Sequence, residues 1–430
     1  MVFFRILVSI SAFYGLAGAV FAQDFQTDIQ TDSTRAAGVY HSYEFGEIHD
    51  TPAPKGYKPF YISHYGRHGS RRHLGRAAEE AYKYMEAARE AGILTEEGLR
   101  LSDDVRTIHA QYEGMTGELS IQGGKEHATL ARRMYARFPQ AFRGRGRMEV
   151  YCQASTIPRC LLSMAFFTGA LKDEAPRLQF DYITGEKYLE MLSHDYYDRE
   201  SYRPAQVEIV DSILRARIDP SRIMKAWFKE GPETDAVISN PYRIMYYAFL
   251  YAAGCQDIRY EVEMDLFPYF TEEERIALYT YLNDRIYSSY GNSLEFGDHI
   301  TWAAQWCLRD IVERADKALE AGSSMVADLR FGHDSGLLPL AALMGLGEVG
   351  ARYPVADAHL YYPTWKYIPM ASNLQLIFYR NRQGDILVKA LYNERETAIE
   401  AVPAFEGPYY RWKDVRTRFL HLCDEKAAQK

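Results

Sequence analysis

Two periods of apolar residues share this chain: short runs that alternate as strands do flank a long block with helical spacing. The Pro- and Gly-punctuated stretch Thr51–Tyr57 opens into Pro59-Phe60-Tyr61-Ile62, a strand expected to end near Ser63. Gly75–Ala91 then carries apolar residues at helical spacing. A second helix is expected to start after the pair Gly123-Gly124 and to run to Phe138. Arg147–Ser155 reads as a strand, and Leu161–Leu171, after Pro158, as a buried helix. Between about 175 and 298 strand signals are few, and helical stretches such as Arg203–Ile218 and Glu272–Ser289 dominate. Trp302–Gly322 is strongly amphipathic and leads into the strand Ser324–Phe331, with further strands at Leu374–Arg380 and Ile386–Tyr392. No internal repeat or low-complexity tract interrupts the pattern.

Strand–helix alternation at both ends with a helical block between predicts an α/β fold carrying an insertion. The expected division is a core of 51–174 and 299–430, an inserted, mainly helical cap of 175–298, and a polar, extended lead-in over 23–50. In open α/β sheets, sites form beyond the carboxyl ends of strands. Three loops therefore draw attention: the one after Ser63, Cys152–Cys160 after the second strand, and Gly332–Leu340 after the strand Ser324–Phe331.

The N-terminus changes the picture of where the chain works. Met1–Gln23 has one cation, Arg5, then an apolar run, then Val20-Phe21-Ala22, the layout of a secretory signal cleaved after Ala22. An exported, periplasmic or secreted protein is expected, with no membrane contact after cleavage, because no later segment approaches the ~20 apolar residues of a span. The five cysteines form no metal-type CxxC pair. A Cys152–Cys160 disulfide and buried free thiols both remain open. Net charge is −8, so bulk electrostatics do not favour nucleic acid as a partner.

Against that acidic background, Phe60–His73 concentrates His64, His68 and His73 with Arg67, Arg71 and Arg72. The three loops together supply Arg67, His68, Arg71, Arg159, His333 and Asp334. A guanidinium fork matches phosphate oxygens, so three converging arginines describe a phosphoryl pocket. Two histidines can serve as nucleophile and donor, and a carboxyl as general acid. The glycines at 66 and 69 let backbone N–H groups approach an anion, and a helix expected near Gly336 would favour a dianion at its start. Plainer readings stand beside these: a solvated basic turn, a His333-Asp334 helix cap, and a metal held by His64 and His68. Neighbouring arginines repel a cation, so neither a metal nor another cofactor is expected.

The pair of motifs "RHGSR" (67–71) and "GHDSG" (332–336), with Arg159 after a strand between them, resembles the histidine acid phosphatase family. The resemblance runs from about Tyr57 to Asn393. Within the family, "KPFYISHYGRHGSR" and "PMASNLQLIFYRN" look most similar to bacterial exported relatives of multiple inositol polyphosphate phosphatase, the phytate-degrading branch. It implies a phosphoglycerate-mutase-like α/β core with a helical cap. It implies His68 as the nucleophile of a phosphohistidine intermediate, and Arg67, Arg71, Arg159 and His333 as the phosphate ligands. Asp334 would be the proton donor, with small phosphate monoesters as substrates; Arg72 and His73 are candidate substrate contacts. The chain departs from the family in carrying His73 where a proline is usual. It departs from the branch in carrying His333-Asp334-Ser335 for His-Ala-Glu, the His-Asp form being that of the wider family. A general acid or sugar phosphatase, a mutase-like phosphotransferase and an idle phospho-ligand binder are the alternatives, and oligomeric state is left open.

Overall fold

The structure, a computed structural model, describes residues 25–73, 75–144, 146–193 and 199–428. The expected signal segment, 1–22, lies outside the described residues. The strands are β1 (Lys58–Arg67), β2 (Met148–Ala154), β3 (Leu178–Thr184), β4 (Met325–Gly332), β5 (Asn373–Arg380), β6 (Ile386–Tyr392), β7 (Arg395–Thr397) and β8 (Tyr409–Arg411). They form one mixed sheet in the order β3-β2-β4-β1-β5-β6-β7, with β8 also paired to β6. The first four are parallel to one another, and β5 runs antiparallel to β1.

Period-two alternation sends successive side chains to opposite faces. Ile62 of β1 and Ala327, Leu329 and Phe331 of β4 pack under α3 (Ile121–Arg137) and α4 (Pro158–Glu174). Tyr61 and Phe378 enter the other layer, with α7 (Gln305–Leu319), α8 (Asp334–Met344) and α9 (Trp412–Ala428). That second layer is continuous with the core of the helical block, which includes α5 (Pro241–Gly254) and α6 (Glu272–Tyr290). Two further long helices, α1 (Gly75–Glu90) and α2 (Glu96–His109), follow β1, and a third, Arg199–Arg217, belongs to the helical block. No helix among the described residues is long and apolar enough to cross a membrane.

Four local differences from the sequence reading have physical causes. β1 continues past Ser63 to Arg67, because β4 and β5 pair with it on both edges and satisfy the backbone of its polar end. β3 lies in the stretch expected to be helical; as an edge strand with Phe180 and Tyr182 half-buried or exposed, it lacks a continuous apolar signal. The lead-in is not extended throughout: residues 25–31 are helical and Ser33–Tyr40 is a 3-10 turn, burying Phe25, Ile29, Ala36, Ala37 and Val39. Finally, α3 starts before the glycine pair, capped by Ser120, whose hydroxyl accepts the Gly123 N–H at 3.2 Å. The glycines serve a close approach: a Cβ on Gly123 would stand 2.2 Å from the Ser70 carbonyl oxygen. All five cysteines are buried free thiols, so Cys152 and Cys160 are not bridged.

Candidate active site

Sheet register brings the three loops to one level. Arg67 ends β1 opposite Gly332, and Ala154 ends β2 opposite Phe331. His68 is the first residue beyond β1; its amide donates to Gly332 O at 2.9 Å, and its carbonyl accepts from Ala371 N at 3.0 Å. Ala371 takes the left-handed conformation, φ 56°, to make this contact. The Ser155 amide donates to Phe331 O at 3.1 Å, which sets the start of the Arg159 loop beside His333. α8 begins at Asp334, so its amino end faces the same place.

His68 is buried, and its Nδ1 lies 2.9 Å from Gly69 O. A carbonyl can only accept, so Nδ1 carries the proton and Nε2 keeps its lone pair. Burial, reinforced by Arg159, Arg67 and Arg71, holds the imidazole well below the ordinary histidine range. The ring therefore stays neutral and nucleophilic in acid. The His333 ring centroid is 5.6 Å from that of His68. His333 Nε2 lies 3.0 Å from the Ser155 hydroxyl, and burial with Arg159 pushes its pKa down to about 3.

The arginines are placed by the backbone and left with donors to spare. Arg67 Nη1 donates to Val39 O and Ile368 O, both at 2.7 Å, while Nη2 stands 3.0 Å from Asp334 Oδ2 without alignment for a hydrogen bond. Arg71 donates through Nη1 to Arg72 O at 3.0 Å and lies over the Tyr40 ring at 5.5 Å. Burial and Arg159 lower its pKa to about 10. Arg67 Nε and Nη2, Arg71 Nε and Arg159 Nε are buried donors with no protein hydrogen-bond acceptor. Burial works to raise the Asp334 carboxyl, but Arg67 and His333 hold it below the usual range. With both imidazoles neutral, three guanidinium charges face one carboxylate. The formal excess of two positive charges equals the charge of a phosphate monoester dianion.

Six of the sequence-predicted residues thus converge: Arg67, His68, Arg71, Arg159, His333 and Asp334. The other two turn into the frame. Arg72 donates to Gln111 O at 3.0 Å and Leu119 O at 3.1 Å and faces Glu261 at 3.5 Å. His73 is bonded at both ring nitrogens, by Tyr112 and by Leu250 O at 2.7 Å, and stacks on Tyr251. His73 fastens the end of the loop to α5, so neither side chain is free to meet a substrate in this arrangement. His64, once a candidate metal partner for His68, is buried between Phe167 and Phe331. Sequence reasoning missed Tyr40 and Ser155. Ser155 lay inside a loop already singled out; nothing in the lead-in pointed to Tyr40.

Comparison with known proteins bears on the chain's relatives and its fold. No protein-family model matches the chain. It is 28% identical over 346 residues, 73% of each chain, to multiple inositol polyphosphate phosphatase 1 of Gallus gallus. The chain is a homologue of multiple inositol polyphosphate phosphatase. Its fold matches the multiple inositol polyphosphate phosphatase of Bifidobacterium longum, solved with inositol hexasulfate, with a TM-score of 0.74 at 18% identity, over 89% of this chain and 97% of that one. It matches the phytase of D. castellii with a TM-score of 0.62 at 14% identity, over 90% and 84% of the two chains. The expected α/β fold, that of the histidine acid phosphatases and phytases, is the observed one.

Proposed function

We propose that this protein is a phosphoric monoester hydrolase that removes phosphate from inositol polyphosphates, phytate among them, outside the cytoplasm. The observation that carries the reading is the set of buried arginine donors without protein acceptors around the free Nε2 of His68. A buried donor left unsatisfied costs about 1–3 kcal/mol, a cost that phosphoryl oxygens relieve. The homologue's name and the inositol hexasulfate complex of the B. longum enzyme support the inositol phosphate class. Met1–Ala22 supports export.

In the proposed cycle, His68 Nε2 attacks phosphorus as the bond to the alcohol oxygen breaks. Asp334 gives its proton to that leaving oxygen, and phosphohistidine forms. Water then attacks phosphorus, its proton passes to Asp334, and the P–N bond breaks to release orthophosphate and free His68. Arg67, Arg71, Arg159 and His333 hold the three non-bridging oxygens as negative charge develops. Substrate charge also prepares the acid: a dianion beside Arg67 offsets the field that keeps Asp334 ionised, raising its pKa toward the working range.

The test is phosphate release by residues 23–430 from phytate, an aryl phosphate and a sugar phosphate, with His68→Ala as control. A kcat/KM preference for phytate that the substitution abolishes is the expected result. Equal or better turnover of the simple esters would replace the substrate assignment with a general acid phosphatase. No release from any of them would refute hydrolysis.

A further inference from the structure

The middle of the catalytic loop makes no contact with the reacting atoms in the proposed cycle. Ser70, between His68 and Arg71, is held at every polar atom. Its carbonyl accepts from the Ser120 amide and hydroxyl, each at 3.0 Å. Its amide donates to Glu126 Oε2 at 2.7 Å and its hydroxyl to Glu126 Oε1 at 2.8 Å. Glu126 is buried on α3, and its Oε1 also accepts from Tyr43 N and Gln122 Nε2, each at 3.1 Å. Burial raises the pKa of this carboxyl, and the four donors around it oppose burial by favouring the carboxylate.

Asp257, in the turn that follows α5, is a second buried carboxyl at the same point. Its Oδ1 accepts from the Ser42 hydroxyl at 3.0 Å, and Ser42 Oγ lies 3.2 Å from Ser70 Oγ. One serine of the loop is thereby tied to α3, to the lead-in and to the helical block. Among the described residues no carboxylate makes an ion pair with Arg71; Asp257 and Asp334 act on it at longer range.

We propose that Glu126 is a positioning residue for phosphoryl transfer: by gripping Ser70 it fixes Arg71 relative to His68, and Asp257, reached through the Ser42 hydroxyl, completes the grip. The proposal rests on the phosphatase reading for its kinetic arm only. Glu126 touches no reacting atom; it acts through the Ser70 backbone. A shift of roughly 1 Å in a positioning group can lower a rate by about 10²-fold.

Protonation of the pair follows from its surroundings. Burial and the Glu126 charge push Asp257 up to about 8, while Arg71 and the two serines oppose them. The other titratable groups facing Asp257 are Tyr112, at the end of the α2 connection, and Cys255 on its own turn, and burial raises the pKa of both. As pH rises through about 8, a second negative charge therefore appears beside Glu126 and near Arg71. Repulsion then loosens the grip and weakens anion binding.

The experiment uses the mature chain and two readouts. Sulfate, whose charge is constant between about pH 6 and 9, is titrated by calorimetry, and phytate turnover is measured well below each variant's melting temperature. Glu126→Gln, which presents an amide group to the Ser70 donors, is expected to lower kcat/KM about 10²-fold and sulfate affinity at least about tenfold. Ser70→Ala removes the hydroxyl's bond to Glu126 and its contact with Ser42 but keeps the backbone bonds of the residue, and should cost about fivefold in kcat/KM. Wild-type sulfate affinity should fall above about pH 8, and Asp257→Asn should hold it flat. Wild-type kinetics and sulfate affinity in folded Glu126→Gln, or in Ser70→Ala should the first variant not fold, would overturn the proposal. An unchanged pH profile in Asp257→Asn would remove Asp257 from it. Failure of all phosphate release by the wild type would sink the phosphatase reading alone, because sulfate binding still tests the grip.

Discussion

Arg330 and the arginines of the candidate site lie at neighbouring levels of the same sheet and are treated in opposite ways. Arg330, on β4, is fully buried and balanced. It pairs with Asp328 two residues away on its own strand and with Asp310 of α7 at 2.6 Å, and its Nη1 also reaches the Ser63 hydroxyl at 3.2 Å. Burial acts to lower its pKa, but the two carboxylates outweigh it and raise it. Three residues further on, where β4 has ended, Asp334 pairs with Arg67 alone, and Arg67, Arg71 and Arg159 all keep donors without protein acceptors. A buried cation is tolerated when carboxylates and hydrogen bonds replace its water. A fold that supplies two acids to one structural arginine and one acid to three others has reserved the difference for an anion from outside.

That contrast can be broken at either end. The largest expected effect is at the nucleophile: His68→Ala should lower kcat on phytate by at least about 10⁴-fold, with the melting temperature held or raised. The substitution removes one ring hydrogen bond, to Gly69 O, and keeps the backbone bonds of residue 68 to Gly332 and Ala371; substantial residual turnover would contradict the assignment. Next come the two arginines as a matched pair. Arg159→Ala, at an arginine whose Nε has no protein acceptor, should cost about 10²–10³ in kcat with little loss of stability. Arg330→Met should do the reverse, losing about 3–5 kcal/mol in denaturant unfolding because Asp328 and Asp310 are left buried and uncompensated, with kcat/KM changed little while the protein stays folded. A similar stability loss in both would erase the distinction.

Asp334→Asn sharpens the site further by separating substrates. Alkyl leaving groups need a proton and aryl ones need it less, so phytate turnover should fall about 10²–10³-fold and an activated aryl phosphate less than about tenfold. Equal losses would remove Asp334 as the acid. The smallest effect concerns histidines buried without charge. His64 and His127 are pushed down to about 3, by burial first, and neither ring nitrogen of either has a protein partner. Their folded values lie below the ordinary 6.5, so the unfolded chain binds protons more tightly. Stability is therefore full above about pH 6.5 and is lost as pH falls toward 3, by about 1.4 kcal/mol per unit for each such histidine. His64→Phe, between Phe167 and Phe331, should flatten the pH dependence of the melting temperature by one histidine's share; an unchanged slope would contradict it.

What could be read before the fold was known follows the same line between local and distant chemistry. Arg67, His68 and Arg71 sit in one motif, and His333 and Asp334 in another, each directly beyond a strand that apolar residues announce. Strand ends in a parallel sheet converge, so the six residues were legible together. Arg72 and His73 belonged to the same basic run, yet their partners, Leu119 O, Glu261 and Leu250 O, come from segments that no local pattern connects to them. The strand β3 was hidden for another reason: an edge strand half exposed to solvent has little apolar periodicity to show. Glycines 123 and 124 misled about the start of α3, since what they serve is the approach of Ser70 to the first and of the Phe166 ring to the second rather than a turn.

In the proposed cycle the unbalanced arginines hold a phosphoryl group on His68. Rapid acid-resistant trapping is not suited to phosphohistidine, which is base-stable, so the direct measurement is an alkaline quench of the mature protein during turnover of ³²P-labelled phytate, followed by peptide mapping. The account predicts label on His68 in the wild type, more of it in Asp334→Asn with an aryl phosphate as donor, and none in His68→Ala. Steady phosphate release with no labelled protein would contradict it, because water would then be attacking phosphorus directly.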